Sequence, residues 1–298
     1  MSTRTIAITM GDPDGIGPEI IRNALRRMRR PPGVRLLVIG DRRLFPASMP
    51  AEVLACPAPR RSLAPLACLD QAIALARAGQ IHAVVTAPIT KWKIQRCRPS
   101  FQGHTEYLAQ AFGVRDAVMM FASDRLRVAL LTRHLALRSV SSAVTRRLVK
   151  ATIAMTHQAL RSRFGIAHPR LAICGVNPHA GELERSGVER CVIIPALRAL
   201  RARRIVCDGP FAADGFFGSR GWHAYDAIIS PYHDQGLIPF KMLARDQGCQ
   251  VTLGLPIART APDHGSALDI AGRGIANPGS MAYAIHLACQ LIQQKGDP

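Results

Sequence analysis

Short apolar runs alternate along the chain with longer stretches whose apolar positions recur at helical spacing. Ile6–Met10, Leu36–Gly40, Ala83–Thr86, Val128–Leu131, Leu171–Gly175 and Ala227–Ser230 read as strands. Ile20–Arg29, Leu66–Ala78, Thr145–Arg163, Ile193–Ala202 and Met281–Gln293 read as helices between them. This alternation predicts an α/β protein with a largely parallel sheet. The sequence carries no internal repeat, no low-complexity segment and no Gly/Ser-rich linker, so two domains would share continuous elements. The chemically informative residues fall just after strands, in loops rich in Gly, Pro and His. In open α/β sheets that is where ligands bind.

Composition narrows the picture. The chain has 298 residues, 48% of them hydrophobic, enough to bury the core of one large domain or two ordinary ones. It lacks an uncharged apolar stretch of the roughly 18 residues a membrane helix needs. Its first ten residues read as a strand rather than a secretory signal, so a cytoplasmic location and no membrane partner are expected. Eight cysteines are scattered without a C-x-x-C pair, which argues against a zinc ribbon and for reduced, mostly buried thiols. The formal charge is +19, mostly arginine spread from end to end. It favours anionic ligands and attracts nucleic acid without specificity. The clusters Arg26 to Arg30 and Arg198 to Arg204 read as solvated helix faces. With aromatics at 5% and no zinc-finger or RNA-binding signature, a specific nucleic-acid partner is not expected.

Five motifs carry candidate chemistry. Gly11-Asp-Pro-Asp-Gly-Ile-Gly-Pro-Glu19 follows a strand and opens a helix. It reads either as a structural turn or as an anion site at a helix N-terminus, and it is not the dinucleotide fingerprint G-x-G-x-x-G. Thr86-Ala-Pro-Ile-Thr-Lys91 and Gly103-His-Thr-Glu106 follow. His104 with Thr105 can hold a phosphate or carboxylate, or Thr105 can simply cap a helix. Three histidines each lie just past a strand: His134, His179 in Asn177-Pro-His-Ala-Gly-Glu182, and His233 in Tyr232-His-Asp-Gln-Gly236. Three imidazoles with open positions fit a catalytic divalent metal, with Asp234 as a further ligand or an orienting group. Lys241 and Arg259 lie near Gly/Pro turns; they suit a phosphate or are ordinary surface charge. Finally, Asp263-His-Gly-Ser-Ala-Leu-Asp-Ile-Ala-Gly-Arg-Gly-Ile-Ala-Asn-Pro278 is a loop of small residues that lets a flat ring or ribose approach backbone, with Asp269 as an alternative turn cap.

Taken in order, G-D-P-x-G-I-G-P-E, T-x-P-x-x-K, G-H-T-E, N-P-H-A-G-E, Y-H-D-Q-G, L-G-L-P-x-x-R-T and D-H-G-x-A-x-x-I-A-G-R-G resemble the 4-hydroxythreonine-4-phosphate dehydrogenase family and its close paralogues, from Ile6 to about Leu291. The last motif is also similar to the adenine-binding loop of isocitrate and isopropylmalate dehydrogenases. The resemblance implies a two-domain α/β fold of that type, with a cleft between the domains. Residues 1–102 and 273–298 would form one domain, and 103–272 a second carrying the metal and substrate side. It further implies a homodimer with shared active sites.

The implied reaction is NAD(P)-dependent, divalent-metal-assisted oxidation, with decarboxylation, of 4-phosphooxy-L-threonine to 3-amino-2-oxopropyl phosphate in pyridoxal phosphate biosynthesis. By motif, His134, His179 and His233 correspond to ligands of one Zn, Mg or Co ion per subunit. His104, Thr105, Lys241, Gln250 and Arg259 correspond to substrate contacts. His264, Gly265, Ser266, Ala267, Asp269 and Asn277 correspond to the NAD or NADP loop, and Asp234 and Lys91 are the candidate catalytic bases. Three residues depart from the pattern: Gln250 replaces the usual Asn, Asp14 a small neutral residue, and Arg133 a small residue before the first metal histidine. Gln250 keeps D-threonate or D-erythronate 4-phosphate open as the substrate. A non-catalytic basic nucleic-acid binder and a metal-binding regulator are the readings from other classes.

Overall fold

The computed structural model describes residues 3–29, 31–182 and 186–293. Arg30, the last member of the first arginine cluster, lies outside the described residues. The chain divides into two compact units, Met1–Ala117 with Asp246–Pro298, and Val118–Arg245. The junctions therefore fall later than the expected 102/103 and earlier than the expected 272/273. The physical reason is packing. Leu108, on the helix His104–Ala111, is buried in one apolar cluster with Leu66, Leu69, Ile73, Ile94, Phe101 and Leu255. As a consequence His104, Thr105, Gln250, Arg259 and the 264–269 loop belong to the first unit, and Lys241 and the three candidate metal histidines to the second.

In the first unit the strands are β1 (Arg4–Thr9), β2 (Val34–Gly40), β3 (Glu52–Ala55), β4 (Ala83–Thr86), β10 (Gly248–Leu253) and β11 (Ala258–Pro262), in the order β3-β2-β1-β4-β11-β10. All neighbours are parallel except β10 and β11, which are antiparallel. Helices α1 (Gly17–Arg27), α2 (Ala64–Arg77), α3 (Lys91–Gln95), α4 (His104–Ala111) and α10 (Gly279–Gln293) complete it. β1 is buried on both sides, with Ile6, Ala7 and Ile8 inaccessible to solvent, as expected of a parallel strand covered by helices. α1 begins with Pro18 and Glu19 in its first turn, residues suited to a helix N-terminus, and ends on the exposed Arg26 and Arg27.

In the second unit β5 (Val118–Ser123), β6 (Arg127–Leu130), β7 (Leu171–Cys174), β8 (Cys207–Phe211) and β9 (Ala227–Ser230) follow the order β5-β6-β9-β7-β8. Only β5 and β6 are antiparallel. The helices are α5 (Val140–Ala143), α6 (Arg146–Ser162), α7 (Ile194–Arg201), α8 (Ala213–Gly218) and α9 (His233–Ala244). α6 buries Val149, Thr152, Ile153, Thr156, Ala159 and Leu160, the stripe that a 3.6-residue period turns to one side. The Thr145 hydroxyl caps it by accepting the Leu148 N–H at 3.2 Å. On α7, Leu200 is buried while Arg198 and Arg201 are exposed, the solvated face expected of that cluster. Among the described residues no helix is long and apolar enough to cross a membrane.

α9 can lie against the sheet because Gly236 has no side chain. A Cβ there would stand 2.6 Å from Val128 Cγ1 and 2.9 Å from Ser230 Cβ. Gly236→Ala is therefore expected to destabilise the protein by about 1–3 kcal/mol, through forced displacement of packed neighbours. Denaturant unfolding checks this, and an unchanged midpoint would contradict the packing described.

Candidate active site

Two clusters of sequence-predicted residues form, one in each unit. In the first unit the register of the antiparallel pair sets Thr252 directly across from Arg259. Arg259 is 1% exposed, and its guanidinium donates to Thr252 Oγ1 (2.9 Å), Gln250 Oε1 (2.9 Å) and twice to Thr86 Oγ1 (3.2 and 2.6 Å). Four of the five N–H groups are used, all on neutral acceptors. Among the described residues no carboxylate hydrogen-bonds to it, although Glu106 is near enough to act on it electrostatically. Burial pulls the Arg259 pKa down to about 10, which leaves it charged at neutral pH.

His104 and Thr105 open α4 beside this cation. Gln250 Nε2 donates to Thr105 Oγ1 at 3.4 Å, so Gln250 bridges Arg259 and Thr105. The Nε2 atom of His104 is buried without a hydrogen-bond partner. Burial, and then the charges of Arg259 and Lys91, hold the His104 imidazole well below its ordinary value. Lys91 thus belongs to the same pocket; a Cβ on Gly103 would lie 3.5 Å from its Nζ. A buried guanidinium without a bonded counter-ion, an ammonium and an unsatisfied imidazole nitrogen together select an anion with several oxygens. Sequence reading gave Arg259, His104, Thr105, Lys91 and Gln250. It missed Thr86 and Thr252 as ligands of the arginine; only the strand register identifies them.

The small-residue loop of the last motif docks on the first motif in the same unit. Ile16 N–H donates to Ser266 O (3.0 Å), Ser266 Oγ lies 2.8 Å from Thr90 Oγ1, and Glu19 Oε1 accepts the Ala276 N–H at 2.9 Å. Gly15 is required by this approach, since a Cβ would meet Ser266 O at 2.9 Å. Asp14 is held by Lys93 (2.9 Å) and Arg61 (2.6 Å), and these partners, Lys93 first, lower its pKa against the smaller opposing effect of burial. Asn277 spends its side chain at the start of α10: Oδ1 accepts the Gly279 N–H (2.8 Å) and Nδ2 donates to Asp246 (3.3 Å). His264 Nδ1 donates to Gly265 O (3.1 Å) and its Nε2 is buried without a partner, while Gly265, Gly272 and Gly274 border open space. Ala267 turns at φ 39°, and Asp269 is exposed. An unsatisfied ring nitrogen beside bare glycine backbone fits a nucleotide cofactor.

In the second unit the three histidines leave the carboxyl ends of β6, β9 and β7, which are neighbours in the sheet. The loops are tied together. Thr132 donates to Pro231 O through both its N–H (3.1 Å) and its hydroxyl (2.7 Å), and Gln235 Nε2 donates to Gly175 O at 2.7 Å. The rings of His134 and His233 lie 5.9 Å apart between centroids. His233 Nδ1 donates to Asp234 Oδ1 at 2.7 Å, which in a neutral imidazole leaves the lone pair on Nε2. This is the carboxylate–imidazole arrangement that prepares a histidine for a metal. His179 stands in the adjoining loop with φ 51°. Among the described residues no three His, Cys, Asp or Glu side chains form a group that could hold a metal, so one chain brings together the His134–His233 pair but not the expected trio. Lys241 lies in the last turn of α9.

The solved structure of isocitrate dehydrogenase from Methylococcus capsulatus superposes with a TM-score of 0.51 at 16% identity, covering 98% of this chain and 86% of that one. The chain is therefore an α/β protein with the isocitrate-dehydrogenase type of fold. The family model described as "Pyridoxal phosphate biosynthetic protein PdxA" matches residues 39–288. A 4-hydroxythreonine-4-phosphate dehydrogenase from Caulobacter vibrioides is 40% identical, covering 99% of this chain and all of that protein. The crystal structure of the enzyme of that name from Klebsiella pneumoniae matches with a TM-score of 0.85 at 33% identity, covering 97% of this chain and 100% of that one. The chain belongs to the PdxA family, a family of oxidoreductases.

The state of His104 gives a prediction with a definite sign. Its folded pKa lies below the unfolded value, so the unfolded chain binds the extra proton first. Its contribution to stability is complete above the ordinary histidine range and is lost as pH falls through the folded pKa. Thermal melts between about pH 8 and pH 5 should show a smaller acid loss for His104→Gln than for the wild type. Equal losses would contradict the burial of a neutral imidazole.

Proposed function

We propose that this protein oxidises 4-phosphooxy-L-threonine, with loss of CO₂, to 3-amino-2-oxopropyl phosphate, using NAD or NADP and one divalent metal ion per subunit. The observation that carries the reading is the buried Arg259, bonded only to neutral groups, beside His104 and Lys91. With family membership, it supports reading the anion as the substrate's phosphate. Thr105 and His104 Nε2 would complete the phosphate shell, and Lys241 would contribute a further cation to the substrate.

The small-residue loop from His264 to Asp269, ending at Asn277, would hold the nicotinamide nucleotide, which would supply a hydride acceptor. His134, His233 and His179 would hold the metal, which would supply Lewis acidity to ease loss of the substrate's hydroxyl proton. Asp234, which accepts from the His233 ring through one oxygen only, and Lys91, once its ammonium has given up its own proton, are the two groups that would take the hydroxyl proton. Fixing the phosphate sets the orientation of the carbon that is oxidised.

Among the described residues the metal set is incomplete, and α9, which starts at His233, exposes Ile238 (60%) and Met242 (73%). Leu135 and Leu137, next to His134, are 50% and 70% exposed. Apolar side chains exposed next to an unfinished site support a homodimer whose partner covers them and completes it. All eight cysteines are unpaired, which suits a reducing, cytoplasmic setting. A second reading, oxidation of D-threonate or D-erythronate 4-phosphate, is favoured by Gln250. Its longer side chain reaches both Arg259 and Thr105, at a position the substrate would contact.

The deciding experiment is a panel of four-carbon acids, with and without the 4-phosphate, assayed for NADH or NADPH formation with Mg²⁺, Zn²⁺ or Co²⁺. Turnover is expected with 4-phosphooxy-L-threonine and not with its dephosphorylated form. A higher kcat/KM on D-erythronate or D-threonate 4-phosphate would transfer the assignment to the second reading. Turnover indifferent to the phosphate would remove both. Arg259→Lys, which cannot reproduce the bonding fork, should lower kcat/KM by about 2–3 kcal/mol, roughly 30- to 150-fold. Lys91→Met should lower kcat far more than it raises KM if Lys91 handles the proton.

A further inference from the structure

The loop carrying His179 is folded around a carboxylate that the proposed reaction does not use. Glu189 is 1% exposed and begins the turn Glu189–Ile193 that runs into α7. Its Oε1 accepts the backbone N–H groups of Val176 and Asn177, both at 2.8 Å, and its Oε2 accepts Asn177 Nδ2 at 3.1 Å. Glycines make room for it at both ends of the loop. A Cβ on Gly181 would stand 2.5 Å from Glu189 Oε2, and one on Gly175 would stand 3.4 Å from Oε1 and 2.6 Å from Ala180 Cα. Between these glycines His179 and Ala180 adopt φ of 51° and 54°. Two successive non-glycine residues keep this left-handed conformation only where their surroundings impose it. The turn holding His179 is thus fixed from behind by one buried side chain, and from the side by Gln235 bonded to Gly175 O at 2.7 Å.

We propose that Glu189 is the positioning residue of His179: its carboxylate gathers the amides of residues 176 and 177 and so holds the left-handed turn on which the metal-binding imidazole stands. The proposal rests on the reading of His179 as a metal ligand. A carboxylate is suited to the task because three N–H donors converge on its two oxygens, and it accepts without donating. Glutamine keeps the shape and one acceptor but sets an N–H donor where Oε2 now accepts. Alanine removes all three bonds.

The test is Co²⁺ titration of the intact protein, followed by the visible ligand-field spectrum of the bound ion and by competition with Zn²⁺, for the wild type, Glu189→Gln, Glu189→Ala and His179→Ala. Thermal melts of the metal-free proteins run alongside. Removing a group that orients a metal ligand costs about 10- to 100-fold in metal affinity. Glu189→Gln should show a loss in that range and an altered Co²⁺ spectrum at temperatures where it is fully folded, with KM for the nicotinamide nucleotide unchanged. Glu189→Ala should lose at least as much; should it fail to fold, the glutamine variant carries the test alone. If His179→Ala loses metal while folded Glu189→Gln binds Co²⁺ with wild-type affinity and spectrum, the positioning role is overturned. If His179→Ala itself binds Co²⁺ like the wild type, the metal reading of His179 fails instead, and the two failures are told apart.

Discussion

The guanidinium of Arg259 is a full charge in the interior of the first unit, bonded to two threonine hydroxyls and one glutamine carbonyl. Such a charge is costly to bury unless its hydrogen bonds are met, and here they are met by groups that do not cancel it. That charge suits the pocket to an anion, although Glu106 also acts on it electrostatically. It helps keep His104 neutral, which leaves an imidazole nitrogen unsatisfied rather than a second buried cation. Two strand features hold the fork still. β10 and β11 pair in a register that faces Thr252 to Arg259, and β4 ends on Thr86.

The second unit solves a different problem, the convergence of residues roughly 50 positions apart in sequence. It does so with parallel topology. β6, β9 and β7 lie side by side and point the same way, so the loops after them emerge at one end of the sheet. Short bonds then lock loop to loop: Thr132 to Pro231, Gln235 to Gly175, and Glu189 to the turn of His179. The His134–His233 pair and the Asp234 carboxylate on the His233 ring are the product.

Much of this was legible beforehand. β4 and β9 lie where the pattern set them, and α6 and α10 within two residues, whereas the fully buried β5 was not read as a strand. The less legible elements explain themselves. β10 and β11 were read only as a Gly/Pro-rich motif, because the turn residues Gly254 and Pro256 conceal the short strands on either side. β3 has only partly buried or exposed residues and so no strong apolar signal. The compact units meet at Ala117/Val118 and Arg245/Asp246, since α4 is held in the first by the apolar cluster around Leu108.

The sequence by itself determined the α/β class and the family, because these depend on local periodicity and on motifs a few residues long. Only the tertiary structure decided that Thr86, Thr252 and Gln250 are the bonded partners of Arg259, that Asn277 is occupied in starting α10, and that Glu189 underlies the turn of His179. These are contacts between residues up to 173 positions apart. No local pattern encodes them, because strand register and the packing of loops around buried charges are settled only when the whole chain has folded.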